Sequence, residues 1–174
     1  PPLDELLTNA DALVVLEGIA NHDNLGGIFR VAAALAQRAA VLLDPTCCDP
    51  LYRKCIRVSM GHALRVPFAR LPSWPGSLDQ IHAAGFRSLA LTPEAGSKDL
   101  TALPAIDRPA IILGAEGPGL SANALRNASA KVRITIAQDV DSLNVVTAAA
   151  IAMHRLAVPG PHEDMAPRDP TPEP

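Results

Sequence analysis

The 174-residue sequence predicts an α/β fold, a parallel sheet flanked by helices. Three observations carry this expectation. Short apolar runs recur along the chain, as strands buried on both faces require. Stretches with helix start and stop signals separate those runs. Apolar residues make up 48% and charged residues 19%, enough for one packed core, so a wholly disordered chain is excluded.

Residues 12–16 (A-L-V-V-L) form the first predicted strand. A helix follows over 25–37, ending at Arg38, and residues 39–43 (A-A-V-L-L) form the second strand. Asp49-Pro50 marks a helix start, with proline at the first helical position and the helix running to about Val58. Residues 65–69 form a third strand, and a short helix over 78–84 is closed by Gly85. Strands follow at 86–91 and 110–113, then a helix over 121–127 with Ser121 as its cap. A strand at 132–136 and an Ala-rich helix at 142–156, capped by Ser142, complete the pattern.

The domain is expected over residues 1–157, with a Pro-rich, disordered tail over 158–174. Pro159, Pro161, Pro167, Pro170, Pro172 and Pro174 deny that tail helix and sheet hydrogen bonds. The net charge is −3, and the tail supplies all of it, because the remaining body carries fourteen charges of each sign. A global electrostatic case for a polyanionic partner is therefore absent, and any nucleic-acid contact must come from local patches. Aromatics are only 3%, so Ala, Val, Leu and Ile fill the core, and a broad base-stacking surface is not expected.

Cys47, Cys48 and Cys55 are too few and too irregular for a disulfide framework and read as reduced thiols of a cytoplasmic protein. They, and the five histidines, show no metal-ligand spacing, so no metal is expected. No signal peptide opens the chain, and the charge-free run 142–153 is too short to cross a membrane.

In open parallel sheets, ligands sit beyond the carboxyl ends of strands. Three segments there carry unusual chemistry. Residues 21–30 read N-H-D-N-L-G-G-I-F-R; Gly26 and Gly27 stand where alanine would be the better helix former, so close backbone approach is expected. A capped helix with surface Arg30 accounts for this segment equally well. Residues 113–121 read L-G-A-E-G-P-G-L-S, a glycine-rich loop able to present backbone groups, or simply a strand-to-helix turn with an exposed Glu116. Residues 134–144 read I-T-I-A-Q-D-V-D-S-L-N; a helix cap explains Ser142 but not Asn144, a poor helix-interior residue. Neither the dinucleotide glycine fingerprint nor a Walker lysine is present.

Taken in order, the three segments closely resemble the signature motifs of the SpoU (TrmH-type) RNA 2′-O-ribose methyltransferases of the SPOUT superfamily. Asn24, Gly26, Ile28 and Arg30 match N-x-G-x-I-x-R. Leu113, Gly114, Glu116, Gly117, Gly119, Leu120 and Ser121 match L-G-x-E-G-x-G-L-S. Val140, Ser142, Leu143, Asn144 and Val145 match V-x-S-L-N-V. The preceding I-P-M element reads Ile134-Thr135-Ile136, a difference that bears on the shape of the adenine pocket.

The resemblance implies a C-terminal trefoil knot, a fold feature that periodicity cannot reveal. It implies S-adenosylmethionine as cofactor, with Leu113, Gly114, Gly119, Ile134, Ile136, Leu143 and Asn144 at the cofactor site. It implies transfer of a methyl group to a ribose 2′-OH of rRNA or tRNA by a homodimer, with Arg30, Asn24, Glu116, Ser142 and Asn144 as catalytic residues. A guanidinium stays protonated in proteins, so phosphate binding and alkoxide stabilisation suit Arg30 better than proton abstraction. Many members carry an N-terminal RNA-binding domain, and one is expected to be missing from this chain, which starts Pro-Pro. Two rivals stand beside this reading: a catalytically silent knotted RNA-binding protein, and a small-molecule α/β enzyme using another nucleotide cofactor. Arg53, Lys54 and Arg57 make a basic helix face, with Arg65 nearby; it reads either as a solvated face or as a phosphate contact.

Overall fold

The computed structural model describes residues 1–137 and 139–157. The tail expected over 158–174 lies outside the described residues. The chain order is α1 (Leu3–Asn9), β1 (Ala12–Glu17), α2 (His22–Leu35), β2 (Ala39–Leu43), α3 (Arg53–Val58), β3 (Phe68–Arg70) and α4 (Leu78–Ala83). Then come β4 (Arg87–Leu91), β5 (Lys98–Asp99), β6 (Pro109–Gly114), α5 (Ala122–Asn127), β7 (Ala130–Arg133) and α6 (Val145–Leu156). The strands form one parallel sheet in the order β3-β2-β1-β6-β4-β7-β5.

The central strands read as continuous apolar runs because both faces are covered. Val14, Leu16, Val41, Leu43, Ile111 and Leu113 point to one side, into a cluster with Leu25, Ile28 and Phe29 of α2 and Ala149, Ala152 and Met153 of α6. Leu13, Val15, Leu42 and Ile112 point to the other, against Leu6 and Leu7 of α1 and Leu78 and Ile81 of α4. All of these are almost wholly buried. Burying one such Leu, Ile or Val stabilises the fold by roughly 1.5–3 kcal/mol.

Several boundaries differ from the sequence reading, each for a local reason. Helix α2 starts three residues early because the Asn21 side chain accepts the Asp23 N–H at 2.8 Å and caps it. Helix α3 starts at Arg53; Asp49 instead closes a turn by accepting the Leu51 N–H at 2.9 Å. Strand β7 occupies Ala130–Arg133, so Ile134 and Ile136 lie in the loop beyond it. Helix α6 is capped by Asn144, whose side chain accepts the Val146 N–H at 2.9 Å, and Ser142 lies outside it. That resolves the oddity of Asn144: it is at the helix end and not in its interior. Helix α1 and strand β5 carried no signal that the sequence reading used.

The close approach expected at the glycine pair occurs between helices. A Cβ on Gly26 would sit 2.9 Å from the Cys55 carbonyl oxygen and from Val58 Cβ, both on α3. One on Gly27 would sit 2.7 Å from Val146 on α6. The two glycines therefore let α2 lie tightly against α3 and α6, which places the helix that carries Asn24 and Arg30.

Candidate active site

The loops after β1, β6 and β7 meet at the carboxyl edge of the sheet. Neighbouring positions of β1 and β6 bring the first two together, with Glu17 paired to Gly114. The Glu17 carboxylate then accepts the Ser121 N–H at 3.1 Å, fastening the glycine-rich loop to the end of β1. Gly114 packs under that loop: a Cβ there would lie 2.5 Å from the Gly119 carbonyl oxygen and 2.6 Å from the Leu120 nitrogen. No side chain fits without moving backbone.

Asn144 joins all three segments. Its Nδ2 donates to Asn24 Oδ1 at 3.1 Å and to Glu116 Oε1 at 2.7 Å, while its Oδ1 accepts the Val146 N–H. Asn24 is buried, so this amide also satisfies a carbonyl that would otherwise be costly to hide. Residues 120 positions apart are thus held by one side chain.

Beside this junction lies a cavity of about 450 Å³, within the range of small-molecule sites. Leu91, Leu113, Ile134, Ile136, Leu143 and Val145 give it an apolar wall, and Gly114, Gly117 and Gly119 give it a backbone rim. Thr92, Glu116, Asp141 and Ser142 are its polar side chains. The described lining residues include two carboxylates and no lysine, arginine or histidine. Leu91, Thr92, Pro93 and Asp141 were not anticipated; the position of 91–93 at the end of a strand was the available signal.

Of the residues singled out from sequence, Leu113, Gly114, Glu116, Gly119, Ile134, Ile136, Ser142 and Leu143 line the cavity. Asn144 stands at its edge through its hydrogen bond to Glu116, and Asn24 is joined to it through Asn144. Arg30 is exposed on α2, apart from the cavity wall, and makes no side-chain hydrogen bond or ion pair among the described residues. The segment 134–136 is held from behind, where the Thr135 hydroxyl donates to the Asp99 carboxylate. Hydrogen bonds from Thr101 and then Thr135 lower the Asp99 carboxyl to about 2, so it stays an ionised acceptor.

Residues 11–154 match the model described as the SpoU rRNA Methylase family. The chain belongs to this family. A Mycobacterium tuberculosis protein described as an uncharacterized tRNA/rRNA methyltransferase is 47% identical over 165 residues, covering 93% of this chain and 57% of its own length. The 23S rRNA (guanosine(2553)-2′-O)-methyltransferase RlmP of Bacillus subtilis is 29% identical over 88% of this chain and 60% of its own. Among solved structures, an AdoMet-bound rRNA methyltransferase from Sinorhizobium meliloti superposes with a TM-score of 0.77 at 29% identity, covering 84% of this chain and 56% of that one. The chain thus spans little more than half the length of these SpoU relatives.

Among the described residues, no group of three or more His, Cys, Asp or Glu side chains converges as a metal site. No helix among them is long and apolar enough to cross a membrane.

Proposed function

We propose that this chain is the catalytic domain of an RNA methyltransferase that binds S-adenosylmethionine in the 450 Å³ cavity and methylates a ribose 2′-OH of rRNA or tRNA. The observation that carries the reading is a largely apolar cavity wall that holds the Glu116 and Asp141 carboxylates, with Glu116 hydrogen-bonded to Asn144 where the three motifs meet. S-adenosylmethionine carries a sulfonium, an ammonium and one carboxylate, and when bound it supplies the electrophilic methyl group. A net cation of that kind suits a wall with Glu116 and Asp141 and no basic side chain. A phosphate-bearing nucleotide cofactor would face like charge there. This weighs against the small-molecule rival, as does the missing phosphate-binding fingerprint.

The residues divide the work. Leu113, Ile134, Ile136 and Leu143 supply apolar surface for an adenine ring, and the rim of Gly114 and Gly119 supplies backbone hydrogen bonds. Asn144 holds Asn24 and Glu116 in fixed relation, so the nucleophile is positioned by groups that need not reorganise. Arg30 is free of partners within the described chain. We assign it the RNA phosphate and the alkoxide that develops on the ribose oxygen as its proton passes to solvent water. Ser142, on the wall near Glu116, orients the ribose or the loop.

The intact Arg30, Glu116, Ser142 and Asn144 favour catalysis over a silent RNA-binding role. A trefoil knot fits the order of the strands. β6 lies between β1 and β4, and after β7, on the far side of β4, the chain returns to lay α6 on α2 and β6. The homodimer and the cytoplasmic location belong to the same reading; the three free thiols agree with a reducing compartment.

The test is transfer of labelled methyl from S-adenosylmethionine to total bacterial RNA, followed by alkaline hydrolysis. A 2′-O-methyl group blocks cleavage at its own phosphate, so the label is expected in alkali-resistant dinucleotides. Label in mononucleotides would mean base methylation and would overturn the 2′-O assignment.

A further inference from the structure

A second cleft opens on α3. It has a volume of about 360 Å³ and is lined by Tyr52, Arg53, Lys54 and Arg57. Three of its four lining residues are cationic and none is acidic, in a chain whose net charge is −3. Lys54 is shared with Asp23 at 2.6 Å, whereas Arg53 and Arg57 have no carboxylate partner among the described residues. Two uncompensated guanidiniums on one short helix repel each other, and an anionic ligand removes that cost.

The cleft is coupled to the candidate active site through α2. The Tyr52 ring lies 4.5 Å, centroid to centroid, from that of His22, two residues before Asn24 on the same helix. The Gly26 contact with Cys55 and Val58 holds α3 against that helix. The turn leading toward α3 is also fixed: Arg70 donates to the carbonyls of Asp44, Cys47 and Cys48. Helix α3, which carries both guanidiniums, is thus located by its packing on α2.

We infer that this cleft is a docking site for the phosphate backbone of the RNA strand next to the methylated nucleotide, with Arg53 and Arg57 as the contacting groups. The inference rests on the RNA methyltransferase reading. A guanidinium pairs with phosphate oxygens in a bidentate fork, and such contacts position a strand without reading its sequence. Arg53 and Arg57 thus act in register and affinity, while target choice lies elsewhere.

The experiment is fluorescence anisotropy with a labelled, mixed-sequence oligoribonucleotide of about twelve nucleotides, titrated between about 20 and 200 mM salt. Each single-strand phosphate contact contributes about −0.7 to the slope of log K against log salt. The Arg53→Ala/Arg57→Ala variant is expected to bind about tenfold more weakly at low salt, with a slope less negative by about 1.4. Arg38→Ala removes an exposed arginine paired with Asp11, at the amino edge of the sheet, and is expected to change neither. An unchanged slope in the double variant, or wild-type chain that binds no RNA at the lowest salt, would overturn the inference. So would a variant that alters only self-association, because the cleft would then face a second copy. Calorimetric titration with S-adenosylmethionine runs alongside on both proteins. Lost cofactor binding with intact RNA docking would sink the methyltransferase reading alone; the reverse would sink only the docking site.

Discussion

The cavity beside Glu116 and the cleft on α3 differ in the sign of their charge and in how they are built. The cavity has an apolar wall and two carboxylates, and it is assembled from loops at the ends of β4, β6 and β7 with the start of α6. The cleft is cationic and built around one short helix. In the proposed function, a cationic methyl donor and a polyanionic RNA reach one centre, and surfaces of opposite charge receive them without competition for the same groups. Helix α2, which carries Asn24 and Arg30, packs against both α3 and α6.

The largest effect expected is from Arg30→Ala. Methyl transfer should fall by about 10²–10³-fold, the usual cost of removing one donor to a developing oxyanion, with S-adenosylmethionine affinity within a few-fold of wild type. Single-turnover transfer and calorimetry measure the two separately. Loss of both would mean that Arg30 supports the fold.

Asn144 comes next, and two substitutions separate its roles. Asn144→Asp keeps an oxygen to cap α6 but loses the Nδ2 bonds to Asn24 and Glu116 and sets two carboxylates together. Transfer should drop by about 10², and stability should fall by about 1–3 kcal/mol because the buried Asn24 carbonyl loses its donor. Asn144→Ala also removes the cap, at a further cost of about 1 kcal/mol in stability. Equal activity in wild type and Asn144→Asp would show that the three-way bridge has no catalytic role.

Asp44 tests the support beneath the cleft. Burial works against its charge, but hydrogen bonds from Thr46, Cys47 and nearby backbone N–H groups outweigh it and hold the carboxyl below the usual range. A lowered value in the folded state means that the unfolded chain binds the proton more tightly, so stability rises with pH here. Asp44→Asn should cost about 1.5–3 kcal/mol at neutral pH. The gap to wild type should close as pH falls below about 4. Melting curves across that range measure it, and a gap that stays constant with pH contradicts the assignment.

The smallest effect is expected at Thr135. Thr135→Val removes its bond to Asp99 and should weaken S-adenosylmethionine binding by about 1 kcal/mol, or roughly fivefold, while Thr135→Ser restores it. Titration calorimetry distinguishes the three proteins.

The strands at the centre of the sheet were legible in sequence because burial on both faces leaves them wholly apolar: residues 39–43 match β2 in full, and β1 and β6 differ by a residue or two. Strand β7 was misplaced because Ile134 and Ile136 continue its alternation into the cavity wall, where apolar residues serve a ligand site and not a ladder. Ser142 and Asn144 are both good caps two residues apart, and local propensity cannot choose between them; the contacts with Asn24 and Glu116 do. The motifs named Asn24, Glu116 and Asn144, which hydrogen bonds bring together, whereas Arg30 of the first motif stands apart from the cavity wall. Asp141, Thr92 and the Asp99–Thr135 link carried no motif, and only the folded chain brings them to the site.

The central claim, that the acidic-apolar cavity is built for a cationic methyl donor, is tested most directly by calorimetric titration of this chain with S-adenosylmethionine and, separately, with NAD. Saturable S-adenosylmethionine binding at one site per chain, with no heat from NAD, is the predicted result. NAD binding in that cavity, or a folded chain that takes up neither, would contradict it.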